Sequence, residues 1–396
     1  VIIQKIDNKG DCNLFVSDSG QIFEAENLEY SGTWSYFDDV SDKATIAQLL
    51  IQAKTIDKAC PPHLKEDLDR VNRKMDRVKK ALVTAKVDCN TNCLYEIIPE
   101  HILIDYYQVK NTITKHIIEN NQKTSIYDHL LGASKLVSDI KKNNIKLDMK
   151  KLKRSLGPSK INRFFRKIKK LTMRIDYDIF GTKTGRLTCK KKTFPILNLD
   201  RELRKFVVPN NDLFLEIDVN GAELRALLFL LDREQPDLDI HDWNCRNVFN
   251  NSITRDEAKK RVFAWLYNQE SSDHLLNKEY DRDSIKSKFY DGEKITTPYG
   301  RVIECDEFHA VNYILQSFSN DILLEQAQKI NLTLKDKNSN IAFMMHDSLI
   351  LDYSSEDISV AKSIIKMFEE TRFGKTRVNV KMGKNLLDMK EVSWKK

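Results

Sequence analysis

The sequence predicts an α+β protein, and three observations carry that class. Strand-like runs occur as isolated pairs, residues 13–16 with 21–23 and residues 341–345 with 348–353, and not as βαβ units. Helical periodicity is strong elsewhere, as in Leu64, Leu68, Val71, Met75, Val78 and Leu82. Hydrophobic residues at 41% and charged residues at 31% give a globular composition. A length of 396 residues allows two or three domains. Twelve Gly and eight Pro are too few for a collagen-like or low-complexity chain. The longest apolar run, residues 226–231, is far short of the roughly 20 residues that a membrane helix needs, so no membrane association is expected.

In chain order, residues 1 to 55 read as short strands and turns, with a hairpin turning at Ser17-Asp-Ser-Gly20. Helices are expected over 63–86, 99–120 and 125–143. A basic strip follows and breaks at Gly157-Pro158. Beyond Tyr177 the pattern gives a strand at 213–219, helices at 224–232, 255–268 and 307–330, the hairpin 341–353 and an amphipathic helix at 357–373.

The net charge of +7 hides an asymmetry. Residues 141–170 hold thirteen Lys/Arg and one acid, Asp148, a local +12 that leaves the remainder at −5. Such a strip suits phosphates, and a solvated surface helix is the plainer alternative. Phe164 and Phe165 within it suggest that one face packs. The seven cysteines are odd in number and scattered, which reads as reduced thiols in an intracellular protein. No basic-then-apolar leader is visible from Val1. Cys60, His63, Cys89 and Cys93 are a conceivable zinc set with irregular spacing; ordinary buried thiols are the stronger expectation.

Two carboxylates stand out. Asp218 ends an apolar strand (Leu213, Leu215, Ile217), and Asp347 sits at the tip of an apolar hairpin. A lone Asp at a strand end is usually a turn former. If the two strands are neighbours, the carboxylates converge and need a cation to offset their repulsion. Oxygen ligands select magnesium or manganese, and two such ions suit in-line phosphoryl transfer. Arg255, Lys259, Phe263 and Tyr267 recur every four residues and form one drifting helical stripe, cationic then aromatic. That stripe offers phosphate contacts and base stacking, or is an ordinary surface helix with its aromatics in the core.

Taken together, seven ordered elements resemble the family A DNA polymerases, the bacterial polymerase I and phage replicase group, over residues 177–353 with weaker continuity to the C-terminus. Thr184-Gly-Arg-Leu-Thr188 followed by Pro195-Ile-Leu-Asn198 resembles the family's TGRLS…NLQN element. Asp218-Val-Asn-Gly-Ala-Glu-Leu-Arg225 resembles motif A, usually DYSQIELR, and Asp239-Ile-His241 the DIH after it. The stripe from Arg255 to Tyr267 matches motif B. Thr297-Pro-Tyr-Gly-Arg301 with Asn312 and Gln316 resembles the GR…N…Q run, and His346-Asp347-Ser348 motif C, usually HDE.

The resemblance implies a right-hand fold with an antiparallel palm sheet, helical fingers and a reduced basic thumb, plus a small N-terminal region. The implied boundaries are 1–120 for a missing or degenerate 3′–5′ exonuclease, 121–183 for the start of the palm and the thumb, 184–225 and 297–396 for the palm, and 226–296 for the fingers. Asp218, Asp347 and the Val219 carbonyl would hold two Mg2+ ions, with Mn2+ able to substitute. Arg255, Lys259 and His241 would bind the triphosphate, and Lys259 would protonate the leaving pyrophosphate. Phe263 would pack on the incoming sugar and base, Tyr267 near the templating base. Glu223 would exclude a 2′-hydroxyl. Arg186, Arg301, Asn312, Gln316 and His346 would meet primer-template DNA. The implied activity is template-dependent addition of dNTPs to a primer 3′ end without proofreading.

The sequence departs from the family pattern at Val219, Gly221, Asn268 and Ser348, where Tyr, Gln, Gly and Glu are usual. An HDS motif C also occurs in phage-type single-subunit RNA polymerases, so an RNA polymerase-like or primase-like enzyme is the first alternative. A catalytically silent nucleic-acid-binding relative is the second. In the N-terminal third no Asp-x-Glu opens a strand, and His101-x3-Asp105 followed by Thr112 is the one faint exonuclease-like pattern.

Overall fold

The computed structural model describes residues 1–7, 12–24, 31–41, 43–52, 55–89, 92–268 and 271–392. It divides into two compact units, Val1–Lys135 and Leu136–Lys396.

The first unit carries a five-stranded mixed sheet. Strands β1 (Ile2–Lys5), β2 (Leu14–Ser17) and β3 (Ile22–Glu24) form an antiparallel meander. β4 (Gly32–Thr33) and β5 (Thr45–Ile46) continue parallel to β1, in the order β3-β2-β1-β4-β5. Two long helices, α1 (Lys65–Thr84) and α2 (Glu100–Asn120), pack on each other and bury the periodic residues Leu68, Val71 and Met75. Buried Gln4 on β1 donates to Asn111 and Thr114 of α2 at 3.0 and 3.1 Å, so this core holds a fully neutral polar cluster. Asp105 accepts from Arg70 and Lys74, and these hydrogen bonds, that of Arg70 first, hold its carboxyl below the usual range against the cost of burial.

Two expectations are corrected in this unit. Cys12 and Cys93 form a disulfide, so the thiols are not all reduced. The entry to β2 and the segment leading into α2 bring these residues together across 81 positions of sequence. Cys93 is thereby removed from the zinc set, and the rings of His63 and His116 meet edge to face at 5.2 Å. Among the described residues, Asp7, Cys12 and Cys93 are the one group of three or more His, Cys, Asp or Glu side chains whose ligand atoms lie close together, and two of its members are already bonded to each other.

In the second unit the basic strip splits at Gly157-Pro158 into α3 (Met149–Arg154) and α4 (Ser159–Ile168). α4 buries Ile161, Phe164 and Ile168 and leaves Arg163, Arg166 and Lys167 exposed. Phe164 meets Phe194 edge to face at 6.4 Å, which anchors the strip.

The centre of this unit is an antiparallel sheet. β6 (Leu213–Val219) lies between the hairpin β7 (Asn340–Met345) and β8 (Ser348–Tyr353) on one side and β9 (Val378–Gly383) with β10 (Lys390–Glu391) on the other. The order is β7-β8-β6-β9-β10. Helices α5 (Ala222–Leu230), α6 (Ile240–Asn247) and α7 (Arg255–Tyr267) follow β6 in sequence. α8 (Glu307–Thr333) packs against α5 and against α9 (Ile358–Glu369). No helix among the described residues is long and apolar enough to cross a membrane.

The cysteine pairing is countable. Thiol labelling of the unreduced, denatured chain is expected to modify the five free cysteines, 60, 89, 189, 245 and 305, rising to all seven after reduction. Intact mass spectrometry reads the number of labels, and seven before reduction would contradict the bond.

Candidate active site

β6 buries Phe214 on one face and Leu215 and Ile217 on the other, as a central strand covered on both sides does, and its register sets the rest. Asp218 lies opposite Ser348 of β8 and Asn379 of β9. The β7–β8 connection is the two residues His346 and Asp347, with His346 at φ +55°, a left-handed turn that reverses the chain at once. The Val219 amide donates to the Asp347 carbonyl at 3.4 Å, so the two aspartates are held on adjacent strands. Asp218 is pushed up to about 6, first by burial and then by the charge of Glu216; Lys381 pulls it back and Asp347 raises it further. A carboxylate in this state is short of positive charge.

Both aspartates line one cavity of about 730 Å³. The same cavity is lined by Arg255, Lys259, Phe263 and Tyr267, by His241, Glu223, Arg186, Val219 and His346, and by Thr182, Asn198, Asn320 and Asn379. The stripe therefore faces the carboxylates, while Ala258, Val262, Trp265 and Leu266 bury the opposite side of α7. A capping box starts that helix: Glu257 N donates to the Thr254 hydroxyl at 3.4 Å and Thr254 N to the Glu257 carboxylate at 2.8 Å. Phe263 and Tyr267 stack at 5.9 Å with 9° between their planes, and Lys259 Nζ sits 5.9 Å from the Phe263 ring centre.

Glu223 is buried at the N-terminal turn of α5 and accepts from both Arg186 and the Tyr267 hydroxyl. Burial, then this carboxylate, raises the Tyr267 phenol. Gly221 immediately precedes α5 at φ +67°, and a Cβ there would stand 2.4 Å from Ile240 Cγ2. The usual Gln of this motif has no room where Ile240 packs.

Three expected residues lie outside the cavity. Arg301 is buried, and its Nε and Nη2 donate to Asp321 at 3.1 and 2.5 Å, which replaces the expected DNA contact with a supporting one. Its guanidinium packs against Gly185, where a Cβ would meet Cζ at 2.5 Å. Asn320 and Ser317 of α8 donate to the carbonyls of Gly185 and Thr184 at 3.0 and 2.8 Å, and the turn carrying Arg186 is pinned. Asn312 and Gln316 are half-buried on α8, about two turns and one turn before Asn320, beyond the cavity lining.

His241 is buried against Phe263 at 5.7 Å, and its Nδ1 has no hydrogen-bond partner. Burial pushes its pKa down to about 4, opposed by the charge of Asp239. A folded value below the unfolded one makes its contribution to stability complete above about pH 6.5 and lost as pH falls towards 4. The expected result is that His241→Gln removes about 3 kcal/mol of the wild-type stability loss over that window, read from urea unfolding at a series of pH values. Parallel pH curves for the two proteins would contradict a buried neutral imidazole.

No protein-family model matches the chain, and no curated protein matches it in sequence. Among solved structures it is similar to the POL domain of Pol1 from M. smegmatis, in complex with DNA primer-template and dNTP. Identity is 12%, the match covers 86% of this chain and 81% of that one, and the TM-score is 0.60. The likeness is one of fold, reached with few shared residues: the chain has the fold of a POL domain.

Proposed function

We propose that this protein is a template-dependent DNA polymerase of the family A type, extending a primer 3′ end with deoxynucleotides. One observation carries the reading: Asp218 and Asp347, held by strand register, share a cavity with the cation-then-aromatic face of α7. The fold similarity to the POL domain supports it. In this reading residues 184–225 and 297–396 are the palm, 226–296 the fingers, 121–183 the start of the palm and the reduced basic thumb, and 1–120 a region where the exonuclease is missing or degenerate. The protein acts within the cell, where its substrates are.

The donor set fits divalent magnesium, with manganese able to replace it. Asp218, Asp347 and the Val219 carbonyl offer oxygen only, and Asp218 is a half-buried carboxylate that the charge of Lys381 offsets only in part. Two ions bound there would stabilise the attacking and leaving oxygens. The protein's own groups do the positioning. Arg255, Lys259 and His241 receive the triphosphate; a neutral imidazole with an open Nδ1 still offers a hydrogen bond. Phe263 packs on the sugar and base, and Tyr267 borders the templating base. Glu223, fixed by Arg186 and Tyr267, occupies the space a 2′-hydroxyl needs. Arg186 and His346 meet the primer-template, with Asn312 and Gln316 further along it. The primer 3′-oxygen bonds to the α-phosphorus, the bond to the β-phosphate bridge breaks, and Lys259 gives a proton to the departing pyrophosphate.

The absence of proofreading is part of the proposal. Hydrolysis by paired metals needs converging carboxylates. In the first unit the described residues gather Gln4, Asn111 and Thr114 between β1 and α2, all uncharged.

Primer extension with the full chain, magnesium and dNTPs tests the assignment. Extension is expected, and Asp218→Asn or Asp347→Asn should lower its rate by about a thousandfold or more. Normal extension by either variant would refute the metal assignment. A mismatched primer end should stay intact; its excision would refute the lack of proofreading. Glu223→Ala should raise ribonucleotide incorporation about tenfold or more relative to dNTPs, and an unchanged ratio would remove Glu223 from sugar selection.

A further inference from the structure

The geometry points to Asn220 as a positioning residue that ties the carboxylate strand to the triphosphate-binding Arg255. This deepens the proposed function and rests on it. Asn220 follows the metal-side pair Asp218 and Val219 and is itself buried, at 4% exposure. Both ends of its side-chain amide are engaged. Oδ1 accepts from the Ile240 amide at 2.8 Å and from Arg225 Nη2 at 3.3 Å. Nδ2 donates to Asp239 Oδ2 at 2.7 Å.

Asp239 is the hub on the other side. Its Oδ1 caps α6 by accepting from the amides of His241 and Asp242 at 2.9 and 3.1 Å. It also takes Arg255 in a fork, Nε to Oδ1 at 3.2 Å and Nη2 to Oδ2 at 2.7 Å. Despite the cost of burial, these donors hold the Asp239 carboxyl well below the usual range. The amide of Asn220 thus supplies the uncharged link in a chain running Val219–Asn220–Asp239–Arg255.

Arg225 locks that link. It is 1% exposed, and every hydrogen bond it makes goes to an uncharged acceptor. Nε donates to the Asn220 carbonyl at 2.7 Å, Nη1 to Pro236 at 3.0 Å and Nη2 to Leu238 at 3.0 Å. A buried cation among carbonyls fixes the 235–238 loop, and so the approach to Asp239, relative to the end of β6. Through this relay the reach from the aspartates to the Arg255 guanidinium is preset before a nucleotide enters. Fixing that reach would place the α-phosphate at the aspartates while Arg255 holds the tail of the same triphosphate.

The test is a double-mutant cycle on dNTP kinetics. Asn220→Asp keeps the size and the acceptors but removes the donor to Asp239 and sets two carboxylates against each other. Asp239→Asn keeps the cap acceptor and removes the charge that holds Arg255. Each is expected to raise KM for dNTP about tenfold with kcat changed by less than about twofold. Combined with Arg255→Ala, neither should add more than about twofold to the effect of Arg255→Ala alone. A merely structural role would lower kcat as well as raise KM and would multiply with Arg255→Ala, and that result overturns the inference. If one variant does not fold, the cycle with the other decides. A wild-type chain that extends no primer would instead defeat the polymerase reading, which the same assay separates.

Discussion

The structure depends on the antiparallel pairing of β6 with β8. A one-residue slip in that pairing would turn every side chain on the strand to the other face and part Asp218 from Asp347. The pairing of buried Leu215 with Leu351 and of buried Ile217 with Leu349 opposes the slip, because a one-residue step would carry Glu216 to their face of the sheet. The hydrophobic core is thus the device that holds two like charges together. β9 closes the other side of β6 and brings Asn379 and Lys381 beside Asp218 and Glu216, which softens a site otherwise dominated by acids.

Much of this was legible in the residues because the informative signals were periodic. The strand at 213–219, the hairpin turning at His346-Asp347 and the helix opening at Arg255 all appear where pattern reading places them. Each is carried by short-range repeats of period two or near four. The cation-then-aromatic stripe was ambiguous by sequence, and packing resolves it: α7 has a separate apolar face built on Val262, Trp265 and Leu266.

What was hidden depends on long-range partners with no local signature. Arg301 was expected to meet primer-template DNA, yet its partner Asp321 lies on α8 and draws it inside. Cys12 and Cys93 are joined across most of the first unit. β9 alternates Val378, Val380 and Met382 with Asn379 and Lys381, a period-two strand signal that the sequence reading overlooked; its place beside Asp218 depends on a partner strand some 160 residues away. The acceptors around Arg225 are mostly backbone carbonyls, which any residue supplies, and sequence does not display them.

The contact between Arg301 and Gly185 carries a further consequence. The guanidinium occupies the volume of the absent side chain, and its charge is neutralised by a carboxylate on a helix of 27 residues. Positions 185, 301 and 321 therefore form a closed set: a change at one is tolerable only if the other two change with it. Such a triplet drifts slowly in evolution, and a protein engineer seeking to reshape the entrance near Arg186 has to begin elsewhere.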